Sequence, residues 1–262
     1  MTSKLGALIG ASALLAASCA AAQPAAGGTW TGPYAGVSLG VNLGHGTWTA
    51  VSTSDLPGTI VDASSPGAYR PTARRAAIIG GYAWQVGRFV MGPEADFGLA
   101  NTSQTKAGLP GCAIDCAGAP GPGVDKSAVG MGWDASIRAR LGYLINPGLL
   151  FYATGGAAWQ RVRVSGLCQA SLADPQCLVT PTAEILSESH ARTLTGGTVG
   201  GGVEWALGGA WKMRAEYRRL FLGSFTDAFF VGEPRFIPGA STYRFKVKPS
   251  ADIVSFGVTR SF

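Results

Sequence analysis

The chain has 262 residues, of which only 14% are charged and 39 are glycine, and it carries a formal net charge of +6. So few charges with so much glycine do not suit a highly charged soluble enzyme, and beyond the N-terminus no stretch is long and apolar enough for a membrane helix. In lipid that leaves a closed barrel as the way to satisfy the backbone.

Taken in chain order, the first 22 residues read as a signal peptide: Lys4, an apolar core over 5–17, and Ala20, Ala21 and Ala22 before Gln23. Cys19 follows a sequence resembling a lipoprotein box, with Ala16 in place of the usual Leu. Residues 23–262 are expected to form one domain, opened by a Pro/Gly leader over 24–32. Eight strand-like segments follow, at 34–43, 74–84, 89–99, 133–143, 149–159, 193–205, 211–219 and 251–262. Each is near the roughly 9–11 residues that a tilted strand needs to cross a bilayer. The first, third, fifth and seventh connections (44–73, 100–132, 160–192, 220–250) are long, while the others are tight turns around Gly87, Pro147-Gly148 and Gly208-Gly209. Alternation of short turns with long loops predicts an all-β, eight-stranded antiparallel up-and-down transmembrane barrel, with both chain ends in the periplasm and four long extracellular loops.

The period of two supports that reading. In the fourth segment Trp133, Ala135, Ile137, Ala139, Leu141 and Tyr143 alternate with Asp134, Ser136, Arg138 and Arg140; the third, seventh and eighth behave likewise. Aromatic residues near strand ends (Tyr34, Trp84, Phe89, Trp133, Tyr143, Trp159, Trp205, Trp211, Phe262) suggest two interfacial girdles. A soluble sandwich would use the same alternation with the apolar face inside.

The polar face would point into a lumen just wide enough for side chains. Glu94, Asp96, Asp134, Glu204 and Glu216 with Arg138, Arg140, Lys212 and Arg214 form a nearly balanced inward set, read as a salt-bridged plug, with an ion-conducting path as the alternative. Glycines such as Gly81, Gly98 and Gly202 would make room for it. Neighbouring segments allow Glu94 or Asp96 to meet Arg138 or Arg140, and Glu204 to meet Lys212 or Arg214. Arg70, Arg74, Arg75, Arg161, Arg163, Arg244, Lys246 and Lys248 are placed near the outer rim, where lipopolysaccharide phosphates would be natural partners. Nucleic acid does not suit an exported barrel.

Cys112, Cys116, Cys168 and Cys177 are disulfide candidates with three possible connectivities; adjacency favours Cys112 with Cys116 and Cys168 with Cys177. Their spacing does not repeat a zinc knuckle. Of two histidines, His45 opens the first long connection and His190 follows Ser187, Glu188 and Ser189. A lipid-directed hydrolase could be drawn from these, but Ser189 and His190 on an extended strand point to opposite faces. The glycine run over 196–202 lacks the Lys-Ser/Thr of a phosphate loop and signals close packing. No catalytic residue, metal or cofactor is assigned.

The run from Trp30 to Gly40, the run from Tyr152 to Trp159 and the terminal Phe256-Gly257-Val258-Thr259-Arg260-Ser261-Phe262 resemble the opacity-like, OmpA-like small surface barrels of Gram-negative bacteria, the porin-family surface antigens. The resemblance implies an outer-membrane protein inserted by the barrel-assembly machinery through Phe262. It departs from the pattern at the outward Arg260 and in the paired cysteines. The expectation is a non-enzymatic barrel contributing to envelope integrity and presenting surface loops to host or envelope partners. A narrow channel is the alternative, and an outer-leaflet hydrolase a third.

Overall fold

A computed structural model of the chain describes residues 30–53, 67–110, 126–169, 185–229, 231 and 243–262. Its strands are β1 (Gly32–Thr53), β2 (Gly67–Tyr69), β3 (Thr72–Val86), β4 (Phe89–Ala100), β5 (Thr102–Ala107), β6 (Lys126–Asn146), β7 (Leu149–Gln169), β8 (Ile185–Gly208), β9 (Trp211–Leu222), β10 (Phe225–Phe229) and β11 (Tyr243–Ser261). Eight of them form antiparallel staves in the order β1-β3-β4-β6-β7-β8-β9-β11, and β11 pairs back onto β1 from Tyr34 opposite Ser261 to Thr53 opposite Tyr243. Closure leaves no unpaired edge among these staves. The short β2, β5 and β10 extend the wall at the long-connection end, on β1, β6 and β11 respectively.

The staves alternate, and on the longer ones β7 and β11 the alternation changes sense along the strand. On β11, Phe256 faces outward and exposed with Ser255 buried; further up, Arg244, Lys246 and Lys248 are exposed while Phe245 and Val247 are buried. On β7, exposed Phe151 opposes buried Thr154 and Gln160, then Arg163 turns outward and Val162 and Val164 turn in. Apolar-out wall is what lipid requires and apolar-in wall is what water requires. The switch therefore marks the upper limit of the lipid-facing band. On β6 the band runs from Tyr143, packed on Phe89 at 5.3 Å, to Trp133, stacked on Phe97 at 5.8 Å. Ten residues at ~3.3 Å each, tilted by ~40°, give a height of roughly 25 Å, that of a hydrocarbon core.

Several expectations need correction. The staves are far longer than a bilayer crossing: β1 runs to Thr53, β7 to Gln169, and β8 and β11 begin at Ile185 and Tyr243, in stretches read above as loops. Tyr34 is not an outer girdle residue but is buried with its hydroxyl in the lumen. Arg75 is not at the rim; it is 4% exposed and turned inward. Trp84, Phe89, Tyr143, Trp205, Trp211 and Phe262 are exposed on the outside near the short turns. There Arg260 lies 5.7 Å from the Trp211 ring and 5.5 Å from that of Phe262, so an outward charge is held against the girdle. The signal segment 1–22, Cys19, Cys112, Cys116, Cys177 and the side chain of Cys168 lie outside the described residues.

Candidate functional site

The lumen is filled in three layers. At the short-turn end Trp30, 4% exposed, donates its indole N–H to the Pro147 carbonyl at 3.2 Å, and its backbone N–H to Gln85 Oε1 at 3.0 Å. It packs with Tyr34, Ile79, Ala83, Val90, Leu144 and Leu150. At the opposite end Trp48 of β1 lies 4.7 Å from Phe245 of β11 and 6.0 Å from Tyr69 of β2, and Phe229 of β10 stacks on Phe245 at 4.6 Å. Tyr69 and Phe229 arrive on short strands inside connections that sequence reasoning treated as loops.

Between these caps lie five arginines, Arg75, Arg138, Arg140, Arg214 and Arg218, and five carboxylates, Glu94, Asp96, Asp134, Glu204 and Glu216, all buried. Some pairs join neighbouring staves: Arg138 reaches Glu94 at 2.5 Å, and Arg75 meets Asp96 at 2.5 Å. Others cross the lumen. Arg214 donates to Glu94 at 2.6 Å and Arg218 to Asp96 at 2.6 and 2.7 Å, although β9 and β4 stand on opposite sides of the ring. Arg138 donates to Glu216 at 2.7 Å, while Asp134 receives Arg75 at 2.7 and 2.8 Å and Arg218 at 2.9 Å. Ser136 adds its hydroxyl to Asp96, and Arg214 also reaches Glu216 on its own strand. A carboxylate saturated by two or three donors offsets the cost of burying it.

Two tyrosines enter this layer in the same way. Tyr34 on the first stave reaches past Gly81 on the second to donate to Glu94 on the third at 2.8 Å. Tyr152 on the fifth reaches past Gly202 on the sixth to donate to Glu216 on the seventh at 2.9 Å. A Cβ on either glycine would fall 2.5 Å from the tyrosine oxygen, so both positions are kept clear. Gly98 likewise leaves room for the Arg75 guanidinium.

Two members are less well served. Arg140 Nη2 lies 2.6 Å from Glu204 Oε2, close enough for an ion pair but outside hydrogen-bond geometry; Arg140 Nε and Glu204 Oε1 have no hydrogen-bond partner, although Arg214 Nη1 lies 3.8 Å from Glu204 Oε1. Arg140 stacks instead over the Tyr152 ring at 4.0 Å. Lys212, expected to pair with Glu204, lies nearer the short turns, donating to Ser261 at 2.6 Å and sitting 4.7 Å from the Trp30 ring. Arg75 and Arg218 were missed as members. Both sit at inward parity on their strands, which is the signal that could have found them.

Outside the lipid-facing band, His190 is held between Glu188, 2.6 Å from Nε2, and Asp227, 3.1 Å from Nδ1. Those contacts raise its pKa above the ordinary imidazole value against the opposing effect of burial. Arg192 also donates to Asp227, at 2.9 Å, and the Asp227 pKa is lowered although burial acts to raise it. Ser189 points to the other face. Among the described residues no cluster of three His, Cys, Asp or Glu is arranged to hold a metal.

The 31 kDa outer-membrane immunogenic protein of Brucella melitensis is 27% identical over 202 residues, covering 74% of this chain and 72% of that one. The 22 kDa outer membrane protein of Rhizobium leguminosarum bv. viciae is 29% identical over 141 residues, 54% of this chain and 49% of that one. Among solved structures, the outer membrane protease OmpT from Escherichia coli superposes with a TM-score of 0.50 at 10% identity, over 88% of this chain and 97% of that one, a likeness of fold alone. The outer membrane protein beta-barrel domain matches residues 12–262. With a closed ring of eight staves and an apolar outer band, the chain belongs to that family and is a β-barrel of the cell outer membrane.

Proposed function

We propose that the protein is a non-conducting, non-enzymatic barrel that contributes to envelope integrity and holds four segments at the cell surface, with its short turns and both chain ends in the periplasm. The observation that carries this is the lumen filled at three successive levels by Trp30, the ten-membered charge layer and the Trp48 aromatic cluster. A lumen so occupied has its charges neutralised in place rather than offered to passing ions. The word immunogenic in the name of the Brucella relative agrees with surface exposure. Kinship with the opacity-like surface antigens, insertion by the assembly machinery through Phe262, and host or envelope partners for the surface segments belong to the same reading. So do structural disulfides among Cys112, Cys116, Cys168 and Cys177. Both ring nitrogens of His190 are engaged by carboxylates, which leaves no base poised beside a nucleophile and supports a non-catalytic role.

A second reading, a narrow channel, draws on the incompletely bonded Arg140 and Glu204, where water could enter. Planar-bilayer recording of the purified, heat-modifiable protein separates the two. Silence is the expected result; a steady current whose ion selectivity changes in Glu204→Gln would overturn the plug in favour of conduction.

A further inference from the structure

A cleft of about 650 Å³ indents the outer wall where β4 gives way to β5, against β6 and β7. It arises from a register shift. Met131 pairs with Val162 and Asp134 with Gln160, so Gly132 and Trp133 together face a single residue, Arg161, on β7. Such a bulge bends the strand and frees its carbonyls. From the inside, the Gln160 side-chain amide donates to the carbonyls of Gly132 at 3.0 Å and Trp133 at 3.1 Å, and Asn42 in turn donates to Gln160 at 3.2 Å. The bulge is thus fixed by buried polar groups and the recess is part of the built wall. The stem of Arg161 lies across Gly132, where an added Cβ would come within 3.4 Å of it.

The cleft has two chemistries. At the level of the bulge it carries Arg161 with Leu99 and Trp133, and toward the long connections Arg163 with the hydroxyl-bearing Ser103 and Ser165. No carboxylate among the described residues pairs with either arginine, in contrast to the five lumen arginines. Below Trp133 the wall continues through Phe97 and Ile137, both outward and exposed. The recess therefore sits at the top of the lipid-facing band, cationic where headgroups lie and apolar where acyl chains begin. Guanidinium forks match phosphate oxygens two at a time, and the serine hydroxyls can donate to the remaining ones.

We propose that this cleft seats the phosphorylated headgroup of an outer-leaflet amphiphile, its phosphate on Arg161 and Arg163 and the first acyl segment along Trp133 and Leu99. The assignment to the outer leaflet rests on the orientation proposed above, whereas binding in micelles does not depend on orientation. Native mass spectrometry of the full chain in nonionic detergent, titrated with lipid A, with phosphatidylglycerol and with inorganic phosphate, tests the site. One acylated phosphate ligand should be retained per barrel, with at least ten-fold weaker retention in Arg161→Gln/Arg163→Gln and no change in Arg244→Gln/Lys246→Gln/Lys248→Gln. Should the double glutamine variant lose its heat-modifiability, Arg161→Lys/Arg163→Lys keeps the charge, loses the fork and should bind at an intermediate level. Equal retention in either double variant overturns the proposal, as does loss confined to the triple variant. Inorganic phosphate bound as tightly as either lipid overturns the amphiphile and leaves a simple anion site.

Discussion

Glu94 accepts hydrogen bonds from Tyr34, Arg138 and Arg214, which stand on three different staves. Removing the carboxylate leaves Arg138 and Arg214 to share Glu216 as their remaining hydrogen-bonded counter-charge, so Glu94→Ala should cost ~3–5 kcal/mol, read as a lowered urea midpoint of the barrel refolded in lipid vesicles. Glu94→Gln, which keeps the shape, should fall between; an unchanged midpoint in both would mean that lumen water already solvates the arginines. Residue parity alone placed Glu94, Asp96, Arg138, Arg140 and Arg214 on one face. Parity could not say which carboxylate each arginine would choose, because the cross-lumen pairs depend on ring closure, and a sequence reveals only neighbours along the chain. Arg75 was obscured by Arg74 beside it, since two adjacent arginines fit either facing until a partner decides.

On the scale of single strands, the reversal of alternation was legible and passed over. Val162 and Val164 between Arg161, Arg163 and Ser165, and Phe245 and Val247 between Arg244, Lys246 and Lys248, are period-two runs as regular as any in the lipid-facing band. They looked like loop because the reading asked for outward apolar residues, whereas above the band the apolar side faces in. The bulge on β6 had no such signal. Its brace predicts that Gln160→Ala, which leaves the carbonyls of Gly132, Trp133 and Arg161 without this donor, should cost ~1–3 kcal/mol in the same unfolding assay and speed amide exchange around Trp133 first.

The tie between β8 and β10 adds a pH dependence. His190 has a raised pKa, so its contribution is full below the ordinary value of 6.5 and is lost as pH rises through the folded-state value. Asp227 is lowered, so its contribution is present above 3.8 and is lost as pH falls through its own folded-state value. Proteolysis near β10 should therefore be slowest in the mildly acidic range and faster at pH 9. His190→Ala should flatten the upper limb, and a flat profile in the unmodified protein would sink this assignment.

For the molecule as a whole, closure and stave number followed from the rhythm of long and short connections, while the filling of both mouths did not. Trp30 belongs to a stretch whose glycine and proline marked it as a leader, yet it supplies the seal at the short-turn end. Trp30→Ala should leave the barrel folded and heat-modifiable but open that layer, so brief current events should appear in bilayers only when Glu204 or Arg140 is also neutralised. Large steady currents from the single variant would show that the charge layer is no barrier by itself.

The repeated reach from Tyr34 past Gly81 to Glu94, and from Tyr152 past Gly202 to Glu216, divides the interior into two sets of four staves. In the first set Arg75, Arg138 and Arg140 balance Glu94, Asp96 and Asp134; in the second Arg214 and Arg218 balance Glu204 and Glu216. Among these ten groups each half-sheet is neutral, and Lys212 beside the Trp30 ring adds one positive charge to the second. Yet Glu94, Asp96 and Glu216 complete their coordination only with arginines of the opposite half. Pairs of that kind need the ring closed, so the charge layer is complete only with the seam between β1 and β11 shut.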